Sequence, residues 1–278
     1  MNRYTKLTLL REIGMWIFAI IMLLPFYLLI NTALKNTSDA ISTAGYTPVK
    51  NPSLESFKEV TQGDGARTLF EGLFNSLFIT TLAVCGIIAI SSITAYVLAR
   101  RLTRLSNVTF YALLVGIVVP SQLGLVPIYI GAKSLGLIGK TWGLSFLYVA
   151  FFLPLAIFLY SGFIRNLPTE YEQAAFIDGA SRTRVFFTIV FPLISPATGT
   201  VAIMTGVIIW NDFFTPLIFL TGSGNETLPV AVYAFVGAIV TNWNNIFAIL
   251  IIALVPVTIL FLLLQKKFIQ GFSGGIKS

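Results

Sequence analysis

Three consecutive residues near the end of a long apolar stretch, Trp210, Asn211 and Asp212, have side chains that suit the binding of a polar solute. An aromatic ring offers a flat apolar face, while an amide and a carboxylate offer hydrogen bonds, and a sugar has both C–H faces and hydroxyl groups to match. An Asp at the boundary of a membrane would give the same pattern, so both interpretations stay open. Gln122, in an earlier apolar stretch, is a further candidate for the same role.

The residue types that most often carry catalysis are scarce. The chain has no histidine and one cysteine, Cys85. The lack of histidine excludes a Ser-His-Asp triad and histidine-based metal sites, and a lone cysteine excludes an internal disulfide. Cys85 lies among apolar residues, where we expect a small buried side chain. The sequence therefore predicts no catalytic residue and no metal site.

The composition indicates that lipid is the main solvent of this chain. Of its 278 residues, 56% are hydrophobic and only 10% are charged. Soluble domains are about 45–50% apolar and about 25% charged, and a soluble fold of this size would need far more charge on its surface. The elements that position the candidate residues are therefore expected to be membrane-spanning helices.

Six charge-poor apolar stretches are long enough to cross a membrane, which takes about 20 residues of helix. Pro192 and Pro196 move the start of the fifth span to about residue 196, and the polar residues 242–245 set the start of the sixth. The sequence thus predicts an all-α protein with one transmembrane domain, residues 1–278, and no soluble domain. The predicted spans cover about 13–34, 72–99, 106–132, 142–164, 196–219 and 243–265.

The distribution of charge predicts the orientation of these spans. If the N-terminus is cytoplasmic, most of the 18 Lys and Arg residues fall in cytoplasmic segments, and most of the 11 Asp and Glu residues do not. This is the positive-inside pattern, with both termini in the cytoplasm. The net charge of +7 is therefore a topology signal, and it gives no support to nucleic acid binding.

The loop between the fourth and fifth spans predicts a short helix on the cytoplasmic side. Thr169 followed by Glu172 fits a capping box, and Gly179 can take the left-handed conformation that ends a helix. Ser181 can cap a second helix.

Four residues of this short helix are predicted to share one face, and two of them are alanines that allow close approach of another surface. Both a docking element and an ordinary connecting loop fit this pattern. The four residues are Tyr171, Ala174, Ala175 and Asp178.

The loop segment 172–180 reads Glu-Gln-Ala-Ala-Phe-Ile-Asp-Gly-Ala and resembles the EAA loop of binding-protein-dependent ABC importer permeases. Nearly the whole remaining chain resembles the maltose-type carbohydrate-uptake permeases, and segment 271–277 resembles the C-terminal tail of the smaller permease in such pairs. The sequence departs from the family at Gln173, where the family has Glu. The other supporting stretches are 75–76, 95–100, 119–122 with Pro127, and 210–213 with Pro216.

This resemblance implies a type I ABC importer permease in the plasma membrane that translocates an oligosaccharide. The implied partners are a second, homologous permease forming a heterodimer, two ATPase subunits and an extracytoplasmic solute-binding protein. This chain would bind no cofactor, because ATP and Mg²⁺ would be held by the ATPase. Gly275 and Lys277 of the tail would contact the ATPase. The implied coupling residues are Glu172, Gln173, Ala174, Ala175, Asp178, Gly179 and Ala180.

A secondary transporter or channel for a small polar solute is the alternative function. Such proteins couple transport to ions through ionisable residues within their spans, and the predicted spans contain almost none. A membrane-embedded enzyme is a third possibility, but no pair of nucleophile and base supports it.

Overall fold

The structure is a computed structural model that describes residues 6–63, 66–101, 103–118, 124–238 and 242–274, and every regular element within these ranges is helical. The predicted all-α fold is confirmed. The helices are α1 Lys6–Ala33, α2 Thr37–Ser42, α3 Glu55–Gln62, α4 Ala66–Arg100, α5 Arg104–Val118, α6 Leu125–Ser134, α7 Thr141–Arg165, α8 Glu170–Ile177, α9 Arg182–Val185, α10 Phe191–Leu193, α11 Ser195–Asn211, α12 Phe214–Leu220, α13 Leu228–Ala238 and α14 Trp243–Gly274.

Four helices in the described part of the chain are each long and apolar enough to cross a membrane. They fall on the first, second, fourth and sixth predicted spans. A fifth crossing results if α11 and the helical segment Arg182–Leu193 before it, which meet at an angle of 71°, form one bent span. The four crossing segments are Thr8–Ala33, Ala66–Arg100, Thr141–Arg165 and Trp243–Leu263.

The third and fifth predicted spans each contain more than one helix. The third, at about 106–132, covers α5 with 15 residues and α6 with 10, and residues 119–123 between them lie outside the described ranges. In the fifth, Pro196 lies in the first turn of α11, as its position in the sequence suggests. The helix then ends before Asp212, whose backbone is extended at φ −69° and ψ 125°, and α12 follows.

The chain forms two compact units, of which the first comprises residues 1–70 and 231–256. In this unit the segment after α2 is fixed to the end of α1 by one side chain, Asn31. Its amide nitrogen donates to the carbonyls of Gly45 and Thr47 at 2.7 and 2.9 Å, and its carbonyl accepts from the backbone of Val49 at 2.9 Å. The hydrogen-bonding capacity of the buried Asn31 is thereby largely used.

The second unit comprises residues 71–230 and 257–278 and contains both candidate sites. Its core is formed by apolar side chains of α4, α7 and α11, including Tyr148 and Tyr160 of α7, which are 2% and 0% exposed. Helices α4 and α7 pack closely, since a Cβ at Gly86 would lie 2.8 Å from a methyl group of Val149. Small residues allow such close approach between helices that have only lipid as an alternative contact.

Cys85 is exposed, so the prediction of a buried side chain is wrong. The reason is the helical period. Ala83 and Ile87 of α4 are both fully buried, and a residue midway between positions i and i+4 points to the opposite side of the helix. An apolar stretch in a membrane protein is apolar on all sides, so hydrophobic neighbours in the sequence do not indicate burial.

Candidate functional site

The loop predicted between the fourth and fifth spans folds as the short helix α8. The predicted capping box at its start is wrong, because Thr169 has helical backbone angles and its side chain caps nothing. Glu172, which would complete the capping box, instead binds Tyr96 and Arg100, which lie more than 70 positions earlier in the chain. A tertiary partner has therefore replaced the local one.

The end of α8 follows the predicted pattern. Gly179 has φ +79°, and two backbone bonds close the turn, from Gly179 to the carbonyl of Phe176 at 3.0 Å and from Ala180 to that of Ala175 at 2.9 Å. This is the Schellman arrangement, in which a residue of positive φ stops a helix. Ser181 then caps α9 by accepting from the backbone of Arg184 at 3.3 Å, as predicted.

Helix α8 has one exposed side and one packed side. Tyr171 and Ile177 are 55% and 87% exposed, and Ala174 between them is also exposed. Ala175 is half-buried and packs against the core of the second unit, so it does not share the exposed face with Tyr171 and Ala174 as the spacing suggested. Exposed apolar residues on a short surface helix are typical of a protein contact.

The packed side of α8 contains a buried ion pair. The Glu172 carboxylate accepts from Arg100 Nε at 2.7 Å and from the Tyr96 hydroxyl at 2.8 Å. Arg100 also donates from Nη2 to the carbonyl of Leu167 at 3.0 Å. The Glu172 and Arg100 side chains are 8% and 18% exposed, which makes this a partly desolvated, charge-assisted contact between α8 and the end of α4.

The same end of α4 also contacts the segment that leaves the loop. The Tyr96 ring lies 5.3 Å from the ring of Phe186, measured between centroids, and Phe186 opens a π-helical turn, Phe186–Val190. The Phe186 ring is in turn 5.0 and 5.9 Å from the rings of Phe187 and Phe191. Both ends of the loop are thus fixed to α4.

The second candidate site lies at the break between α11 and α12. Asp212 accepts from the hydroxyl of the buried Tyr148 at 2.9 Å and from the backbone of Thr215 at 3.2 Å. The second of these bonds satisfies an amide in the first turn of α12, which has no partner within the helix. Asp212 therefore terminates one helix and stabilises the start of the next.

Asn211 and Asp212 face a cavity of about 1030 Å³ bounded by α5, α6, α7, α11 and α12. Such a volume is at the upper end for small-molecule sites. Apolar and aromatic side chains dominate its wall, with a few polar groups. Among the lining residues are Tyr148, Phe151, Phe152, Asn211, Asp212, Phe214 and Thr215.

The other predicted site residues lie elsewhere. Trp210 is 8% exposed and is not part of the cavity wall. Gln122, Gly275 and Lys277 lie outside the described residues. Of the predicted coupling residues, Glu172 is buried, Ala175 and Ala180 are half-buried, and the remaining four are exposed. Within the described ranges, no group of three or more His, Cys, Asp or Glu side chains could hold a metal ion.

Three residues at these sites, Tyr96, Arg100 and Tyr148, had no predicted role. Arg100 entered the sequence analysis through the distribution of charge and through the resemblance of segment 95–100, although an arginine at the end of a long apolar helix is also able to pair with a nearby loop. Tyr148 had one usable signal, because a hydroxyl in the middle of an apolar run needs a partner when it is buried. Its partner, Asp212, is 64 residues away and could not be identified from spacing.

The comparison with solved structures agrees with this fold. The crystal structure of a bacterial ABC transporter involved in the import of the acidic polysaccharide alginate contains a chain that superposes with a TM-score of 0.80. The match covers 96% of this chain and 100% of the other, at 20% sequence identity. At that identity, the likeness shows the fold alone.

Sequence comparisons reach the family level. The melibiose/raffinose/stachyose import permease protein MelC of Bacillus subtilis (strain 168) is 37% identical over 253 residues, which are 91% of this chain and 90% of the relative. The multiple sugar-binding transport system permease protein MsmG of Streptococcus mutans is 33% identical over 261 residues, 92% of each chain.

The model of the family described as "Binding-protein-dependent transport system inner membrane component" matches residues 87–274. Such a component crosses the inner membrane several times, works with a binding protein and an ATPase, and is not itself the catalyst. The family is not known to bind cofactors. This chain therefore belongs to the inner membrane components of binding-protein-dependent transport systems, the permease subunits of ABC importers.

Proposed function

We propose that this chain is one permease of a heterodimer that imports an oligosaccharide. The names of three relatives support an oligosaccharide as the solute. MelC is named for melibiose, raffinose and stachyose, AmyC of Thermoanaerobacterium thermosulfurigenes for starch degradation products, and GanQ of Bacillus subtilis for galactooligosaccharides. The chemistry common to these names is that of short chains of sugar rings.

The observation that carries the substrate class is the cavity beside Asp212. Its wall combines the aromatic rings of Tyr148, Phe152 and Phe214 with the hydrogen-bonding groups of Asn211 and Asp212. Aromatic faces pack against the C–H faces of sugar rings, while the carboxylate and the amide bind hydroxyl groups. We infer that Asn211 and Asp212 line the solute pathway. Trp210 is buried and is not among the residues of this wall.

For the coupling to ATP, we propose that the exposed side of α8 binds the ATPase. Tyr171, Ala174 and Ile177 form a small apolar patch on a helix that is held firmly on its other side. Because members of this family work with an ATPase, we expect the ATPase to be the protein that covers this patch. The loop would then lie in the cytoplasm, since ATP is available there.

The proposed topology has six spans with both termini in the cytoplasm. Its support is the concentration of basic residues in four of the connecting and terminal segments, together with the positions of the long helices. This arrangement places α8 in the cytoplasm and the loop with α2 and α3 on the outer face, where a binding protein delivers solute.

Transport by the reconstituted complex tests the proposal. Liposomes would contain this chain with its partner permease and ATPase, and the solute-loaded binding protein would be added outside. We expect accumulation of radiolabelled raffinose or maltotriose that requires ATP hydrolysis and stops when this chain is omitted. ATP-driven uptake of an amino acid or peptide by the same complex, without uptake of any oligosaccharide, would contradict the substrate class.

A further inference from the structure

The proposed docking of α8 does not explain why the carboxylate of Glu172 is buried. It lies on the side of α8 that faces away from the exposed patch, it is buried, and both of its oxygens have partners within this chain. A buried charge is retained only at a cost in desolvation, so such a pair is seldom explained by stability alone. The position of this pair, between α8 and the end of α4, suggests that it transmits motion from one helix to the other.

We propose that Arg100, Glu172 and Tyr96 form a clamp that makes α8 and the end of α4 move as one body. This inference rests on the proposed role of α8 as the element that meets the ATPase. The clamp is the route by which a displacement of α8 enters a membrane-spanning helix, and its three members are positioning residues that touch neither solute nor nucleotide.

The geometry of Arg100 supports this role, because one guanidinium holds two points of the loop. Nε binds the Glu172 carboxylate in the first turn of α8, and Nη2 binds the Leu167 carbonyl before that helix begins. The planar fork of arginine presents its donors in fixed directions, which a lysine cannot do. Arg100 therefore spans the junction between α7 and α8 and fixes the loop on both sides of it.

Tyr96 extends the clamp to the exit of the loop. Its hydroxyl donates to the second oxygen of Glu172, while its ring contacts Phe186 at the start of the π-helical turn. Tyr96 and Arg100 are four residues apart and thus share one face of α4. A single helical turn of α4 consequently holds the entry, the first turn and the exit of the loop.

The covalent connections of α8 alone would transmit motion poorly. The helix is attached to α7 through residues 166–169 and to α9 through residues 178–181, and both segments lack continuous helix. A push on Tyr171 or Ile177 could rotate α8 about these connections. With Glu172 bound to Arg100 in a desolvated setting, the same push acts on α4, a helix of 35 residues that is about 52 Å long at 1.5 Å per residue.

The first test measures coupling in the assembled importer. The variants are Glu172→Gln and Arg100→Gln, each in the complete complex with its ATPase and binding protein. The matched controls are Glu170→Gln, on the same helix, and Arg101→Gln, the next residue after Arg100; both are exposed. We expect stimulation of ATP hydrolysis by solute-loaded binding protein to fall about tenfold in the two clamp variants and to stay near wild type in the controls.

A variant that buries one unpaired charge is at risk of failing to assemble, so a double variant is needed. Arg100→Met combined with Glu172→Met removes both charges and fills the space with apolar side chains, an exchange that folded proteins usually tolerate. We expect normal amounts of assembled complex with the same loss of stimulation. Wild-type stimulation in this complex would overturn the clamp, because a purely structural pair would have been replaced without functional loss.

A distance measurement tests the clamp independently of solute and of ATPase docking. Spin labels at Val97 on α4 and Ile177 on α8, with Cys85 replaced by Ala, report whether the two helices move together; Val97 and Ile177 are 41% and 87% exposed. In the purified full-length chain without its ATPase, we expect one narrow distance distribution that broadens in the double Met variant. An equally narrow distribution in that variant would overturn the proposal. A failure of sugar transport or of ATPase binding would leave this readout intact and would count against the proposed function instead.

Discussion

Gly179 ends α8 with a backbone conformation that side chains with a branched Cβ disfavour. Its φ is +79°, and a Cβ built there has no other atom within 4 Å, so a substitution would be opposed by backbone strain alone. A non-glycine residue in this region costs about 1–2 kcal/mol. The turn after α8 therefore depends on the residue type at position 179, because glycine takes this backbone conformation without strain.

Replacing Gly179 with Val should shift the turn and misplace the exposed side of α8. We expect loss of ATPase binding or of solute-stimulated ATP hydrolysis, measured on purified complex. Gly179→Asn is the control, because asparagine tolerates the left-handed region better than other side chains and should retain most of the activity. Wild-type docking and transport in Gly179→Val would contradict the assignment of α8 as the coupling element.

Asp212 has two roles to separate, since it faces the cavity and also holds the start of α12. Asp212→Ala removes both, whereas Tyr148→Phe removes only the hydrogen bond between Tyr148 and Asp212 and leaves the aromatic ring and the carboxylate in the cavity wall. If the carboxylate binds solute, uptake per assembled complex should fall severalfold in Asp212→Ala and stay near wild type in Tyr148→Phe. Uptake within about a factor of two of wild type in Asp212→Ala, measured per assembled complex, would rule out a pathway role for this carboxylate.

At the scale of the helices, α7 begins against the backbone of the preceding turn. A Cβ at Gly143 would overlap the carbonyl oxygen of Leu137 and would lie 3.0 Å from its carbonyl carbon and Cα. Backbone atoms cannot rotate away as a side chain does. This contact therefore sets how α7 enters the unit that contains both candidate sites.

Gly143→Ala should consequently lower the free energy of unfolding by about 1–3 kcal/mol, as overpacking does in other cores. Gly162→Ala, in the same helix, is the control, because a Cβ there meets nothing within 4 Å. Removing a glycine from a helix interior in open space should be neutral or raise stability by up to about 1 kcal/mol. The measurement is thermal unfolding of the purified protein in detergent, and equal melting temperatures for the two variants would refute the argument.

The sequence predicted the long helices better than their interruptions. A run of apolar residues is a signal averaged over about 20 positions, so α1, α4, α7 and α14 were found where hydropathy placed them. The end of α11 depends on one carboxylate that pairs with Tyr148 and Thr215, and a single residue barely changes such an average. The break at Asp212 was therefore missed.

For the short loop helix α8, the sequence predicted the end of the helix but not the contacts at its start. Its end was predictable, because a glycine of positive φ and a serine cap are local devices. Its start was not, because Glu172 pairs with Arg100, which lies 72 residues earlier, and not with its own helix. Local signals predict local geometry, while contacts between distant segments have to be observed.

For the whole molecule, the proposed topology makes a direct prediction. Reporter fusions after Arg104 and after Lys266 should read as cytoplasmic, and a fusion near Thr61 should read as external. The physical reason is that basic residues are retained on the cytoplasmic side during insertion. The reporters would be an alkaline phosphatase, active outside, and a fluorescent protein, active inside. Any reversed signal would break the six-span arrangement and with it the cytoplasmic location of α8.

The outward position of Cys85 has a practical consequence. It is the one thiol of the chain, it lies on α4, and it is fifteen residues before Arg100, or about 22 Å along the helix. A trifluoromethyl tag on Cys85 would therefore give a single fluorine-19 NMR resonance from the native sequence, on the side of α4 that does not pack against Ala83 and Ile87. Because the tag lies near the middle of the helix whose end is held by Arg100, its chemical shift would show how many conformations of α4 exchange during the ATP cycle, and how fast.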